Sequence, residues 1–223
     1  MEEALVHTRL AADKVGATKL DRPEDVEPNP HTGKVYAAFT NNSNRGKTGF
    51  PGPDELNPRT ANKFGHIVEI TEDGGDNAAE TFTWTVPIVC GDPKDPSTYF
   101  MGFDKTKVSP IACPDNIAFD GAGNLWIATD SLYALPQNDG LFAVALEGPE
   151  KGWVRQFLSV PYGAETCGPF IAKDNRSAFV AVQHPGEVDG ASVEKPASTW
   201  PDGDFARPAV VVAWRRDGRT VGR

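Results

Sequence analysis

The feature that most constrains the fold of this 223-residue chain is a unit that occurs three times. Each unit begins with a short strand-like segment that follows a turn, and we call this start a strand entrance. A turn rich in Asp, Asn and Gly follows, then an apolar strand, a polar loop and one or two further strand-like segments. The three strand entrances are Asp21-Arg22-Pro23-Glu24-Asp25, Cys113-Pro114-Asp115-Asn116 and Glu165-Thr166-Cys167-Gly168.

About four antiparallel strands in each unit, repeated at intervals of roughly 40–50 residues, are typical of a β-propeller. An up-and-down β-sandwich gives similar local patterns and stays open as an alternative. Because a propeller needs about 4–8 blades, three units are too few to close a ring. The sequence therefore predicts an all-β fold in which residues 19–223 form the C-terminal half of a larger β-propeller. We expect residues 1–18 to be either a fragment start or a partial strand or linker.

Composition and charge exclude some classes of function. The formal net charge is −9 and no run is rich in Lys and Arg, which argues against nucleic-acid binding. No stretch approaches the roughly 18 apolar residues of a membrane span, and the first residues lack the basic segment of a signal peptide. The odd number of cysteines argues against a complete disulfide framework. We expect Cys90, Cys113 and Cys167 to be small buried apolar residues, with a metal-binding thiolate as the alternative.

The strand entrances also carry the candidate functional residues. In a propeller, the loop that enters the first strand of each blade opens on the same face as the loop between the second and third strands. Carboxylates that converge on that face repel each other unless a cation lies among them, and oxygen ligands of this kind suit Ca²⁺. Asp and Asn before a strand also stabilise turns without any metal, so this second interpretation stays open for each of them. The candidate ligands are Glu24, Asp115, Asn116 and Glu165.

Several short motifs extend the pattern beyond the entrances. They are Arg22-Pro23-Glu24-Asp25, Asn57-Pro58-Arg59, Cys113-Pro114-Asp115-Asn116, Gly163-Ala164-Glu165-Thr166-Cys167-Gly168-Pro169, Gln183-His184-Pro185-Gly186-Glu187 and Ser198-Thr199-Trp200-Pro201. Together they resemble the PhoX family of secreted bacterial alkaline phosphatases, from about residue 19 to the end of the chain. The resemblance implies a six-bladed propeller, a site that combines Ca²⁺ with Fe³⁺, and cleavage of small phosphomonoesters. It also implies periplasmic or secreted localisation through twin-arginine export, and a full-length protein that is a monomer.

The resemblance also assigns roles to individual residues. Glu24 resembles a ligand of the mixed iron–calcium centre, with Asp115, Asn116 and Glu165 as further ligand candidates. Arg22 resembles a catalytic cation that contacts the substrate phosphate, and we expect Arg59 and His184 to lie at the substrate as well. A loop histidine is more often structural, so a proton-transfer role for His184 is the less favoured interpretation.

The chain departs from the family pattern in one respect, and two other functions stay open. The family's N-terminal half has no counterpart here, and with it the export signal and some metal ligands, including a cysteine. We therefore expect weak or no activity from the isolated chain and phosphatase activity from a full-length parent. A calcium-dependent lactonase or esterase propeller would need neither Arg22 nor iron. A non-catalytic binding propeller would hold no metal.

Overall fold

A computed structural model describes residues 2–131 and 134–222. It is an all-β structure, which confirms the predicted class. The first sheet contains β1 (Pro23–Pro28), β2 (Val35–Phe39), β3 (His66–Glu72), β4 (Phe82–Val89) and β5 (Tyr99–Phe100). The middle sheet contains β6 (Pro114–Phe119), β7 (Leu125–Thr129), β8 (Gly140–Val144) and β9 (Val154–Ser159). The third sheet contains β10 (Glu165–Ile171), β11 (Ser177–Gln183) and β12 (Ala209–Trp214).

Within each sheet the strands lie side by side in chain order, and each neighbouring pair is antiparallel. This arrangement matches the three sequence units. The beginning of the chain forms two short helices, α1 (Glu2–Val6) and α2 (Thr8–Lys14), rather than a partial strand. Two short 3₁₀ turns, Asp73–Gly75 and Lys105–Lys107, lie in loops of the first sheet and between the first and middle sheets. Among the described residues, no helix has the length and apolar character to cross a membrane.

The middle sheet is covered on both sides. Strand β7 is buried along its whole length. Its Leu125 and Ile127 pack toward the first sheet, while Trp126 and Ala128 pack toward the third sheet. Each large apolar side chain buried in this way stabilises the fold by about 1.5–3 kcal/mol. The three sheets therefore form one stack, with the middle sheet as its core.

The outer faces of the first and third sheets are apolar and open to solvent, and we call them the end faces. On the third sheet, strand register places Val212 beside Phe179, and Phe179 beside Phe170. Trp214 extends this face and is 65% exposed. Apolar faces of this extent on a protein surface mark sites of contact with other protein elements. The end face of the first sheet is formed by Val26, Ile70, Phe82 and Trp84.

The long loop at residues 41–64 is anchored by a buried polar network. Arg45 and Asp21 form a fully buried ion pair, with Nε 2.5 Å from Oδ1. Asn62 donates from Nδ2 to Asp21 Oδ2 and to His66 Nδ1, at 3.0 and 3.2 Å. The Asn62 Oδ1 atom accepts hydrogen bonds from Arg59 and from the Gly65 backbone N–H. Because every polar atom of the Asn62 amide is paired, the loop holds a fixed path over the start of β3.

Candidate metal and phosphate site

The three sheets meet along their first strands. Strand β6 packs between β1 and β10, so the three strand entrances lie at one end of the stack, which we call the entrance end. The pairing register of each first strand shifts near this end: between Pro23 and Asp25, between Pro114 and Ile117, and between Cys167 and Phe170. Such irregularities redirect side chains and are frequent beside active sites. Glu24, Asp115 and Asn116 all lie within these irregularities.

Side-chain oxygens link each first strand to the next. Asp25 Oδ2 accepts a hydrogen bond from the Ile117 backbone N–H at 2.9 Å. One sheet further on, Asn116 Oδ1 accepts from the Gly168 backbone N–H at 2.8 Å. The two acceptors occupy equivalent positions, since each is the second residue after the entrance proline. These bonds fix the spacing of the three entrances, and they give Asn116 a positioning function whether or not it binds a metal.

Backbone strain is concentrated at the same end. Arg22, Cys113 and His184 have φ values of 49°, 51° and 35°, in the left-handed region that non-glycine residues rarely adopt. Arg22 and Cys113 each stand directly before an entrance proline, and His184 directly follows β11. Such conformations cost about 1–3 kcal/mol each and are found at functional sites. Here they turn the chain sharply at the points where candidate side chains are presented.

The centre of the entrance end is a group formed by Asp115, Glu165 and Cys167. One potential ligand atom from each lies within 4.8 Å of the others. The Cys167 thiol donates to Glu165 Oε1 at 2.9 Å, and Gln183 Nε2 donates to Glu165 Oε2 at 2.8 Å. Residues two apart on a strand share a face, which explains how Glu165 and Cys167 come together.

Electrostatic repulsion perturbs the carboxyl groups of this site. Burial, together with the charges of Glu165 and Glu24, raises the pKa of Asp115 to about 7. Burial and the charge of Glu165 likewise raise the pKa of Asp130, to about 6. Burial and the hydrogen bond to Glu165 raise the pKa of the Cys167 thiol. A bound cation would relieve the repulsion that these shifts report.

His184 lies on one side of this group. Its Nε2 is 3.0 Å from Glu165 Oε2, and its Nδ1 is 3.2 Å from Glu187 Oε2. Burial opposes the charged imidazolium, but the hydrogen bond with Glu165 and the charge of Glu187 outweigh that effect and raise the pKa of His184. The imidazole therefore orients Glu165 and reduces the negative charge of the site.

Arg22 lies on the opposite side, at the first entrance. Its NH2 is 3.0 Å from Glu24 Oε1 and its NH1 is 3.4 Å from Asn41 Oδ1. The Arg22 side chain is 57% exposed. Its positive charge offsets part of the rise in the pKa of Asp130 that burial and Glu165 cause. An exposed guanidinium held by a single carboxylate is available to a second oxyanion.

Arg59, which the sequence places at the substrate, has other partners in the structure. Its NH1 donates to the Cys90 carbonyl at 2.6 Å, and its NH2 donates to the Gly65 carbonyl at 2.8 Å and to Asn62. Burial lowers the pKa of Arg59. These bonds hold the long loop against the first sheet, and contact of Arg59 with substrate stays a prediction.

The structure thus gathers Arg22, Glu24, Asp115, Glu165 and His184 at one end, as the entrance pattern predicts. Cys167 was favoured as an apolar residue, with a metal-binding thiolate as the alternative, and its position two residues after Glu165 on a strand was a usable signal. Asp130, which follows β7, also lies at this end, where a propeller would place the loop between the second and third strands.

The donor set of the site fits metal cations. Glu24, Asp115 and Glu165 provide the carboxylate oxygens that Ca²⁺ prefers. Cys167 adds a sulfur donor of the kind that iron accepts and Ca²⁺ does not. The exposed guanidinium of Arg22 adds a group for an anion, so the arrangement suits a phosphate held between cations and an arginine.

Comparison with known proteins gives three findings. The family model for alkaline phosphatase PhoX matches residues 1–186. The solved structure of Pseudomonas fluorescens PhoX in complex with vanadate, a transition state analogue, is 35% identical and superposes with a TM-score of 0.80, over 99% of this chain and 38% of that chain. A structure assigned provisionally as a gluconolactonase is 16% identical with a TM-score of 0.43, over 75% of this chain and 46% of that one, and it supports no functional argument. No curated protein matches.

Proposed function

Because this chain belongs to the PhoX family of alkaline phosphatases, we propose that it forms part of a metal-dependent enzyme that hydrolyses small phosphomonoesters. The observation that carries this proposal is the group of Asp115, Glu165 and Cys167 at the same end of the stack as the exposed guanidinium of Arg22. The similarity to a PhoX structure that holds vanadate, a transition state analogue, supports the same reaction class.

We propose Ca²⁺ and Fe³⁺ as the cofactors. Glu24, Asp115 and Glu165 would hold them, with Cys167 as a further donor in the group and Asn116 as a candidate beside it. When bound, such cations neutralise phosphate oxygens and stabilise an in-line displacement at phosphorus. The raised pKa of Asp115 and Asp130 supports a cation at this point, because burial and, after it, the neighbouring carboxylates disfavour the charged forms, and a cation offsets both effects.

The protein's own residues have separate tasks in this proposal. Arg22 would bind two phosphate oxygens through its guanidinium while Glu24 holds its orientation. His184 would keep Glu165 in place from the other side and lies close enough to the site to touch the substrate. Asp25 and Asn116 would maintain the distance between the three entrances through their bonds to the neighbouring strands.

For the fold of the whole protein we propose the β-propeller. The chain spans 38% of the length of the solved PhoX chain, so a large part of such a protein lies outside it. The two apolar end faces are suitable contact surfaces for additional blades, and three sheets joined along their first strands make half of a six-bladed ring. In the full-length protein we expect a monomer that is exported to the periplasm or beyond by the twin-arginine route.

Hydrolysis of 4-nitrophenyl phosphate tests the activity, with Ca²⁺ and Fe³⁺ supplied. A full-length protein that contains these residues should be active. This chain by itself should be weakly active or inactive, because we expect some ligands of the metal centre to come from the part of a PhoX protein that lies outside it. Full activity in this chain alone would contradict the shared centre. Absence of turnover in both proteins would contradict the phosphatase assignment.

Two substitutions separate the roles of phosphate binding and metal binding. Arg22→Ala should lower kcat/KM by about 100-fold, the effect of removing a charged group from an anionic transition state, while the exposed Arg176→Ala serves as its control. Unchanged turnover in Arg22→Ala would favour a lactonase or esterase instead.

Glu165→Gln should lower the calcium and iron content in elemental analysis, and Glu150→Gln in an exposed turn should not. A wild-type protein without metal would favour a non-catalytic binding module.

A further inference from the structure

A cavity lies directly beside the candidate site. The loop between β11 and β12 starts at the entrance end and borders an open cavity of about 400 Å³. Most of its lining is apolar, and its charged or titratable lining among the described residues is limited to His184 and Glu187. The apolar lining includes Val188, Val193 and Phe205.

The apolar lining is in contact with solvent. Val193 is 73% exposed and Phe205 is 63% exposed, although both border a concave surface. Apolar side chains around a cavity of this size are typical of small-molecule binding sites. An apolar cavity of about 150 Å³ already accepts a benzene molecule, so about 400 Å³ accommodates a group of one or two rings.

The cavity is connected to the site through a single side chain. His184 lines the cavity, and its Nε2 is 3.0 Å from Glu165 Oε2. The same turn is fixed by two backbone hydrogen bonds, from Gly186 N–H to the Tyr162 carbonyl at 2.9 Å and from Glu187 N–H to the Gly163 carbonyl at 3.2 Å. A molecule that contacts His184 in the cavity is therefore one side chain away from Glu165 and the group that contains it.

The turn at Gly186 lets the two sides of the loop between β11 and β12 approach each other closely. Gly186 has a φ of 85°, and a Cβ atom there would lie 2.9 Å from Ser198 Cβ. The two sides of the loop can meet at this distance only because residue 186 has no side chain. The wall of the cavity next to His184 is thus built into the loop and does not depend on a bound ligand.

We propose that this cavity binds the apolar alcohol portion of a phosphomonoester while the phosphate lies at Arg22 and the metal ligands. The inference rests on the proposed phosphatase function and specifies its substrate class: aryl and bulky alkyl phosphates rather than small polar ones. Glu187, which is 70% exposed at its side chain, adds a negative charge at the rim. A second anionic group on the alcohol is therefore disfavoured.

Substrate comparison provides the first test. In the full-length protein, the kcat/KM for 1-naphthyl phosphate should exceed that for glycerol 2-phosphate, and Phe205→Ala should reduce the ratio about tenfold, as expected for loss of an apolar contact with the substrate. Val193→Ser should reduce the ratio in the same direction, and it keeps the test decisive if Phe205→Ala does not fold. Val15→Ser, at an equally exposed valine near the beginning of the chain, is the matched control. An unchanged ratio in both cavity variants would overturn the proposal.

Equilibrium binding of 1-naphthol provides a second readout that does not require turnover. The wild-type protein should bind 1-naphthol, and Phe205→Ala or Val193→Ser should weaken binding about tenfold. Binding that depends on Phe205 in a full-length protein without phosphatase activity would support the cavity and reject the proposed function. Turnover of both esters without binding of 1-naphthol would retain the phosphatase and reject the cavity.

Discussion

Acid should destabilise the protein through His66, and the structure gives the size of the effect. The His66 side chain is fully buried and stacks on Phe39, with ring centroids 4.9 Å apart. Its Nδ1 faces the Nδ2 of Asn62 at 3.2 Å. Since Asn62 Oδ1 accepts from Arg59 and Gly65, the amide presents an N–H to the imidazole. The imidazole must accept at Nδ1, so a proton added there would meet another donor.

Burial lowers the pKa of His66 from 6.5 to about 4, with the charges of Arg59 and Arg45 acting in the same direction and Asp21 opposing them. Between pH 4 and pH 6.5 the imidazole is mostly protonated in the unfolded chain and mostly neutral in the folded chain. Stability from the neutral imidazole is therefore fully present above pH 6.5 and is lost as the pH falls toward 4. At about 1.4 kcal/mol for each pH unit of this interval, the loss is about 3 kcal/mol.

The variant His66→Gln isolates this effect, because glutamine can accept from Asn62 but does not titrate. At pH 7.5 it should be less stable than wild type by about 1 kcal/mol, since the stacking on Phe39 is lost. At pH 4 the order should reverse, because wild type alone has lost about 3 kcal/mol. Urea unfolding at both pH values measures the difference, with exposed His7→Gln as a control that follows wild type. A constant difference between His66→Gln and wild type would refute the reasoning.

Three further predictions concern the backbone, the sheet contacts and the end faces. Gly65→Ala should lower the free energy of unfolding in urea by more than about 3 kcal/mol, because its Cβ would lie 2.2 Å from the Thr40 carbonyl oxygen. Gly33→Ala, with a similar φ but open space around it, should lower the free energy of unfolding clearly less. Asp25→Ala should cost about 1–3 kcal/mol, since it removes the acceptor of a bond between sheets, and an unchanged unfolding midpoint would contradict that role. Trp214→Ser should reduce self-association of this chain in sedimentation velocity, because it interrupts an apolar end face, and equal association of both proteins would show that this face is inert.

The strands and the approximate site could be predicted because they depend on local pattern. The apolar runs at residues 35–39 and 125–129 form β2 and β7, as expected for the apolar strand that each unit contains. An apolar run bounded by turns forms a buried strand almost regardless of what packs on it. Likewise, Glu24, Asp115 and Glu165 come together because each begins an equivalent strand.

The parts that could not be predicted depend on contacts between distant segments. The irregular register at Glu24 and Asp115 arises where one sheet meets the next, and local sequence carries little information about it. Arg59 offered a cation to a substrate in sequence; in the structure its guanidinium donates to the carbonyl groups of Cys90 and Gly65, and its contact with substrate stays a prediction. The helices at the beginning of the chain have weak apolar periodicity and were expected as a partial strand or linker. The propeller itself stays a proposal, because its closure concerns blades beyond these three sheets.

The hydrogen bonds that the Ile117 N–H donates to Asp25 and the Gly168 N–H donates to Asn116 share one orientation. In each case the earlier strand supplies a side-chain acceptor and the later strand supplies only a backbone donor. The residue that donates through its backbone can vary in sequence, whereas the residue that accepts through its side chain cannot. The position of each sheet against the one before it is therefore set by a single polar side chain on the earlier sheet.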